Sequence, residues 1–335
     1  MAISHLIAHR IERASPTSNA VTQLRAEEFS LDGKIEEGAR ELKLSFIKKL
    51  GKIHGRFSSD SGAYPVAALL QQCIDEKLGF VSFTHKAMQH LKHELDKTEC
   101  VIAAFVFFVQ ESFAHSDELY MYVVHHQAAQ YLDGELNMDD ALYLDTANLK
   151  LAAKINLGEW QTEDGKLNYL SVLGWRGEKD LTDVFTETVG FTDKADIKLE
   201  TEQFLEAVES YTEKLPTEEA EQTRTAVVNY CIEQDKAGHR VKLAELSGHI
   251  NESAPKEFEQ HVRTQKPELK PELVPDRGQM RQFIRISGRD DVLSMSFDAK
   301  SLGDAIVYDP DTDALIINKI PKSLKSRLLR HLKST

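Results

Sequence analysis

Residues 3–13 alternate apolar and polar side chains, and residues 20–29 do so again after the turn-forming string Ser15-Pro-Thr-Ser-Asn19. Period two is the signature of a half-buried strand, so the chain opens as strand, turn, strand. The period then changes. Ile35, Ala39, Leu42, Phe46 and Leu50 recur at helical spacing behind Asp32, a residue suited to accept from the free N–H groups of a first turn. A glycine- and serine-bearing loop is expected over 51–64, then helices over 65–78 and 84–96. The strongest strands follow: 100–109 is apolar throughout, as a central strand is, and 118–126 alternates. Further strands are expected at 150–157 and 169–173. No repeating strand–helix–strand rhythm runs through this half, which therefore reads as α+β with a mostly antiparallel sheet.

From residue 178 the period is helical. Stretches 179–189, 199–215, 216–236, 243–250 and 255–264 read as helices, with Pro216 suited to a first turn and Gly238 to a stop. Residues 266–275, with three prolines, read as a linker or a packed irregular segment. The change of character places a boundary at the turn 174–177, between an α+β domain over 1–175 and a helix-rich domain over 176–335. Pro275-Asp276 is a good helix start. Behind it Arg277, Arg281, Arg285 and Arg289 recur every fourth residue, and at a drift of about 40° per step they would form one basic stripe on a helix. Residues 293–297 alternate as a strand, and 305–308 and 314–318 read as two strands around Asp309-Pro-Asp-Thr-Asp313. The last helix, over 321–333, sets Leu324, Leu328 and Leu332 on one face; it carries Lys322, Lys325, Arg327, Arg330 and Lys333 and no acid.

Several strings resemble one family. The Pro275-Asp-Arg opening with Arg281-Gln-Phe283, the Leu293-Ser-Met-Ser-Phe297 strand, Leu302-Gly303, Tyr308-Asp309 and the basic, leucine-rich end are similar to the NdpA/YejK family of nucleoid-associated proteins of proteobacteria. Gly62-Ala-Tyr-Pro65, Leu144-Asp145, Leu151-Ala-Ala-Lys-Ile-Asn156, Glu159-Trp160 and Tyr169-Leu-Ser171 extend the resemblance over essentially the whole chain. It implies a bacterial, DNA-binding, nucleoid-localised protein in contact with a type II topoisomerase, but transfers no DNA-contacting residue. The family's counterpart of the turn Gly174-Trp-Arg-Gly177 is richer in lysine and arginine. Here Arg176 and Lys179 remain as candidates while Glu178 and Asp180 intrude.

Charge complicates the reading. With 41 Lys and Arg against 54 Asp and Glu, the net charge is −13, the wrong sign for a simple nucleic-acid binder. The acid is concentrated: residues 101–250 hold 12 basic and 28 acidic side chains, whereas 301–335 hold 6 and 4. A basic end can still bind phosphate while the body repels it, with strong dependence on salt. The length allows two domains with a substantial core. The longest apolar run, 100–109, falls well short of the roughly 18 residues of a membrane span, and the N-terminus lacks a signal-peptide core, so the cytoplasm is expected and no membrane partner.

Other chemistry has bland readings. Asp309, Asp311 and Asp313 open like a calcium loop, but Ala314 and Ile320 stand where the turn glycine and bidentate glutamate belong, so a hairpin turn is expected. His85, His90, His93, His125 and His126 lack zinc-site spacing, and Cys73, Cys100 and Cys231 are far apart and read as reduced thiols. No nucleotide loop or nucleophile elbow occurs, and no catalytic residue, metal or cofactor is expected. Two readings follow. One is a non-enzymatic protein holding double-stranded DNA by its phosphates with little sequence specificity. The other is an adaptor docking on a topoisomerase or another DNA enzyme. Self-association is left open.

Overall fold

The computed structural model describes residues 2–112, 117–162, 168–192, 194–289, 292–298, 301–302 and 305–333. They form two compact units, Met1–Ala195 and Asp196–Thr335.

The first unit opens with strands β1 (Ala2–Arg13) and β2 (Val21–Gln23), helix α1 (Gly33–Lys48) and strand β3 (Ile53–Phe57). Helices α2 (Pro65–Ile74) and α3 (Phe80–Asp96) precede strands β4 (Ile102–Ser112) and β5 (Glu118–Val124). Then come the β6 (His126–Leu132) and β7 (Met138–Leu144) hairpin, β8 (Leu151–Asn156), the single turn α4 (Leu157–Trp160) and β9 (Leu170–Leu173). Helix α5 (Lys179–Val189) and β10 (Phe191–Thr192) complete it.

Eight strands make one sheet in the order β10-β3-β9-β8-β5-β4-β1-β2, antiparallel at every pairing described. Both faces are covered, which explains why β4 and β5 are apolar on both sides. On one face Ile7, Val106, Phe108, Met121 and Val172 share a core with Phe83 and Met88 of α3 and Phe185 of α5. On the other, Leu6, Val109, Tyr120 and Tyr122 pack under Ala39, Leu42 and Phe46 of α1. Asp32 caps α1 as expected, its Oδ1 accepting from Ile35 N at 2.9 Å. Residues 176–195 join this unit, since Leu181, Val184, Phe185 and Val189 lie in its core.

Three strands, β3, β6 and β7, differ from expectation. β3 lies in the stretch read as a loop, where Gly55 hides the strand pattern. A Cβ there would strike the Thr192 carbonyl and the Phe191 ring, so the close approach of β10 requires glycine. β6 and β7 form a separate two-stranded sheet, whose mixed composition gave no periodic signal.

The second unit comprises α6 (Ile197–Thr212), α7 (Thr217–Ala237), β11 (Val241–Lys242), α8 (Leu243–Ile250), α9 (Glu257–Gln265), β12 (Glu272–Leu273) and α10 (Arg277–Phe283). Phe204, Val208, Val227, Cys231, Phe258 and Met280 are among its buried residues. Gly238 stops α7 in the left-handed conformation, at φ 80°. Two small hairpins follow, β13 (Arg285–Arg289) with β14 (Ser294–Asp298) and β15 (Ile306–Asp309) with β16 (Ala314–Ile317). The chain ends in α11 (Lys322–Lys333).

Candidate nucleic-acid interface

The four-arginine helical stripe does not form. Asp276 caps α10, its Oδ1 accepting from Gln279 N at 2.9 Å, but the helix ends at Phe283. Arg285 and Arg289 lie instead on β13, in register with Asp298 and Ser294 of β14. Cross-strand pairing with 294–298 overrides the four-residue spacing, helped by Gly288, which weakens any helix through it.

The arginines therefore have separate fates. Arg277 donates through Nε to Asp235 Oδ2 of α7, in a pair only 15% and 20% exposed, so its charge is spent inside the unit. Arg281 is exposed in the last turn of α10 and makes no ion pair among the described residues. Arg285 is exposed, with Nη1 3.9 Å from Asp298 Oδ1 across the hairpin. The Arg289 side chain lies outside the described set, as does that of Lys333.

Neutralisation of this kind recurs through the helices of the second unit. Lys242 meets Glu245 at 3.1 Å, Arg263 meets Glu259 at 2.7 Å, Lys266 meets Glu206 at 2.6 Å and Lys270 meets Glu200 at 2.7 Å. The acid-rich sequence thus compensates its own lysines and arginines.

α11 is different. Lys322, Lys325, Arg327 and Arg330 are all exposed, and the helix holds no acid with which to pair them locally. Its leucines do not pack as a buried seam: Leu324, Leu328 and Leu332 are 44%, 45% and 72% exposed.

At the other candidate turn, Arg176 and Lys179 are both exposed. Asp180 and Asp183 of α5, however, line an open cleft with Glu94, Glu99 and Glu187, a field that repels phosphate. Trp175 is not free to stack on a base. Lys150 Nζ sits 4.2 Å from its ring centre and the His125 ring packs edge-on at 5.3 Å.

The densest buried charge went unseen in the sequence. Lys43 of α1 meets Glu111 of β4, and Lys154 of β8 meets Glu118 of β5 at 2.5 Å. Tyr120 donates to Glu118 at 2.6 Å. Burial raises the Glu118 carboxyl, but Lys154, the Tyr120 hydroxyl and Lys43 outweigh it and hold it below the usual range. Burial and the neighbouring carboxylates push the Tyr120 phenol far up, so it stays a donor. Two cations balance two anions under α1, a cluster suited to fixing strand register rather than to chemistry. Its sequence signal was the same-face spacing of Glu118, Tyr120 and Tyr122, which has meaning only once β4 and β8 are known as neighbours.

The Asp309–Asp313 segment is a hairpin turn: Asp309 accepts from Asp311 N at 3.0 Å and Thr312 Oγ1 at 2.7 Å, and Asp313 has φ 48°. His85 Nε2 donates to the Arg25 carbonyl at 2.8 Å, while His90 Nδ1 stands 3.7 Å from Glu94. Among the described residues no group of three or more His, Cys, Asp or Glu is placed to hold a metal ion. No described helix is long and apolar enough to cross a membrane. The three cysteines are free, and burial pushes the Cys231 thiol up to about 12.

Fold and surface together define a two-unit α+β protein with compensated charge in its helical body and a basic helix standing exposed at its end. Comparison with known proteins places that class. The chain matches the family model described as nucleoid-associated protein YejK over residues 7–325. It is 33% identical over 332 residues to a nucleoid-associated protein of Pseudomonas putida (strain GB-1), covering 98% of this chain and 99% of that one. Nucleoid-associated proteins of Metapseudomonas resinovorans (32% identical; 98% and 100% covered) and Azotobacter vinelandii (33%; 98% and 98%) match over the same length. The chain belongs to the family of nucleoid-associated protein YejK, and its role is a nucleoid-associated one.

Proposed function

We propose that this chain is a non-enzymatic DNA-binding protein of the bacterial nucleoid that holds duplex DNA by its phosphates, with little sequence specificity. The observation that carries the reading is α11, which gathers five basic residues without an acid while cations of the helical body are spent in ion pairs. Arg281 and Arg285 are secondary candidates; Arg277 is withdrawn because Asp235 holds it. Phosphate contact is independent of base identity, so different sequences bind alike. Each contact releases counterions, so five of them contribute at most about 4.5 to the slope of log affinity against log salt.

The competing reading is an adaptor that docks on a type II topoisomerase or another DNA enzyme. The β6–β7 hairpin favours it, because it exposes apolar side chains among acids. Retardation of two unrelated duplexes by the purified chain, without partner or added metal, separates the readings. Equal binding of both at low salt, lost as salt rises, supports direct DNA binding. No retardation at low salt favours the adaptor.

A further inference from the structure

The β6–β7 hairpin is built as though something covers it. Its two strands pair only with each other among the described residues, and a lone two-stranded hairpin is marginally stable in water. Leu132 stands opposite Met138, and Leu142 opposite Ala128. These pairs are an even number of register steps apart, so they share one face. Leu132, Met138 and Leu142 are 59%, 68% and 69% exposed, an uncovered apolar face of the kind that marks an interaction site. Asp140, opposite Gln130, stands between the two pairs on the same face, Asp133 and Glu135 stand at the turn and Asp139 on the other face, and residues 126–144 contain no lysine or arginine.

α11 is the complement in both respects. Leu324, Leu328 and Leu332 recur four apart on one uncovered face. Lys325 borders that face, while Lys322 and Arg330 lie well around the helix from it. Hairpin on hairpin would set acid against acid, and helix on helix base against base. Helix on hairpin instead sets an element without acid against one without base, with Lys325 bordering the leucine face and Asp140 within the hairpin face.

We propose that the occupant of the hairpin is a second copy of this chain, whose α11 seats its leucine face on Leu132, Met138 and Leu142. Both complementary halves belong to the same sequence, so two copies exchange helices reciprocally and close a twofold dimer. Reciprocity also doubles the buried area, which a single 12-residue helix would leave below the roughly 1,200 Å² of a stable interface. The basic side chains away from the leucine face stay exposed. The proposal is independent of whether they contact DNA.

Light scattering on the full chain at several salt concentrations tests it, with a hairpin variant (Met138→Ser with Leu142→Ser) and a helix variant (Leu324→Ser with Leu328→Ser). The four positions are exposed, and circular dichroism checks that each variant folds. The unsubstituted chain is expected to be a dimer that weakens with salt, and each variant to lose at least about tenfold in self-affinity. Mixing the variants restores one helix–hairpin contact, so the mixture should dimerise more strongly than either variant alone. A monomeric unsubstituted chain overturns the proposal. So does a helix or hairpin variant that dimerises like the unsubstituted chain, or a mixture that gains nothing.

Discussion

His9 shows how much one side chain on the eight-stranded sheet can carry. It is 2% exposed on β1 and fully engaged. Arg25 N donates to Nδ1 at 3.1 Å, so the ring proton is on Nε2, which donates to Thr84 Oγ1 at 2.9 Å. The Thr84 hydroxyl in turn donates to the Val81 carbonyl at 2.9 Å. A second proton would need Nδ1 and break the first link. Burial, reinforced by His85, lowers the imidazole pKa to about 4. The folded state therefore binds this proton less readily than the unfolded chain. Stability from His9 is full above about pH 6.5 and is lost as pH falls toward 4. Between pH 7.5 and 5.0 the unsubstituted chain should lose about 2 kcal/mol more, by urea denaturation, than His9→Gln; equal losses would contradict the network. Arg277 gives a second case. Arg277→Gln strands the largely buried Asp235 carboxylate and should cost about 2 kcal/mol, reduced from the fully buried case because Asp235 is 20% exposed. Arg281→Gln, on an exposed side chain, should stay within about 0.5 kcal/mol. Equal costs in chemical denaturation would remove the distinction drawn between these arginines.

At the scale of elements, legibility followed how local the cause was. α1 announced itself through Asp32 and its apolar spacing, and α7 through Gly238, because caps and periods are written within a few residues. β3 did not, because its glycine answers to β10, more than 130 residues later in the chain. Gly55→Ala should thus destabilise the first unit by about 2 kcal/mol through overpacking, whereas Gly33→Ala, with open space around it, should not. Thermal melts of the two variants check this; matching melting temperatures would put β10 elsewhere. The arginine spacing misled for a related reason. Four-residue recurrence suits one face of a helix and also one face of a strand, and only the partner strand 294–298 decides between them. The basic terminal helix was readable because its charge and leucine spacing are local; the exposure of its leucines was not, since sequence does not record what an element fails to touch.

For the whole molecule, net charge and its local distribution point in opposite directions. The net charge of −13 argues against DNA, yet acids in the helical body pair with lysines and arginines there, leaving α11 with basic charge that no acid of its own balances. Each compact unit has its own buried residues, so 1–195 and 196–335 expressed separately should each unfold cooperatively in urea; a non-cooperative profile for either would count against two independent domains. α11 is the proposed phosphate-binding element. Its most direct test is the slope of log affinity against log salt for a duplex, measured with the unsubstituted chain and with Lys322→Gln, Arg327→Gln and Arg330→Gln combined. Weaker binding of every sequence is expected, with a slope flatter by up to about 2.7, at about 0.9 per lost contact. Unchanged affinity and slope in the folded variant would remove α11 from the DNA-binding site.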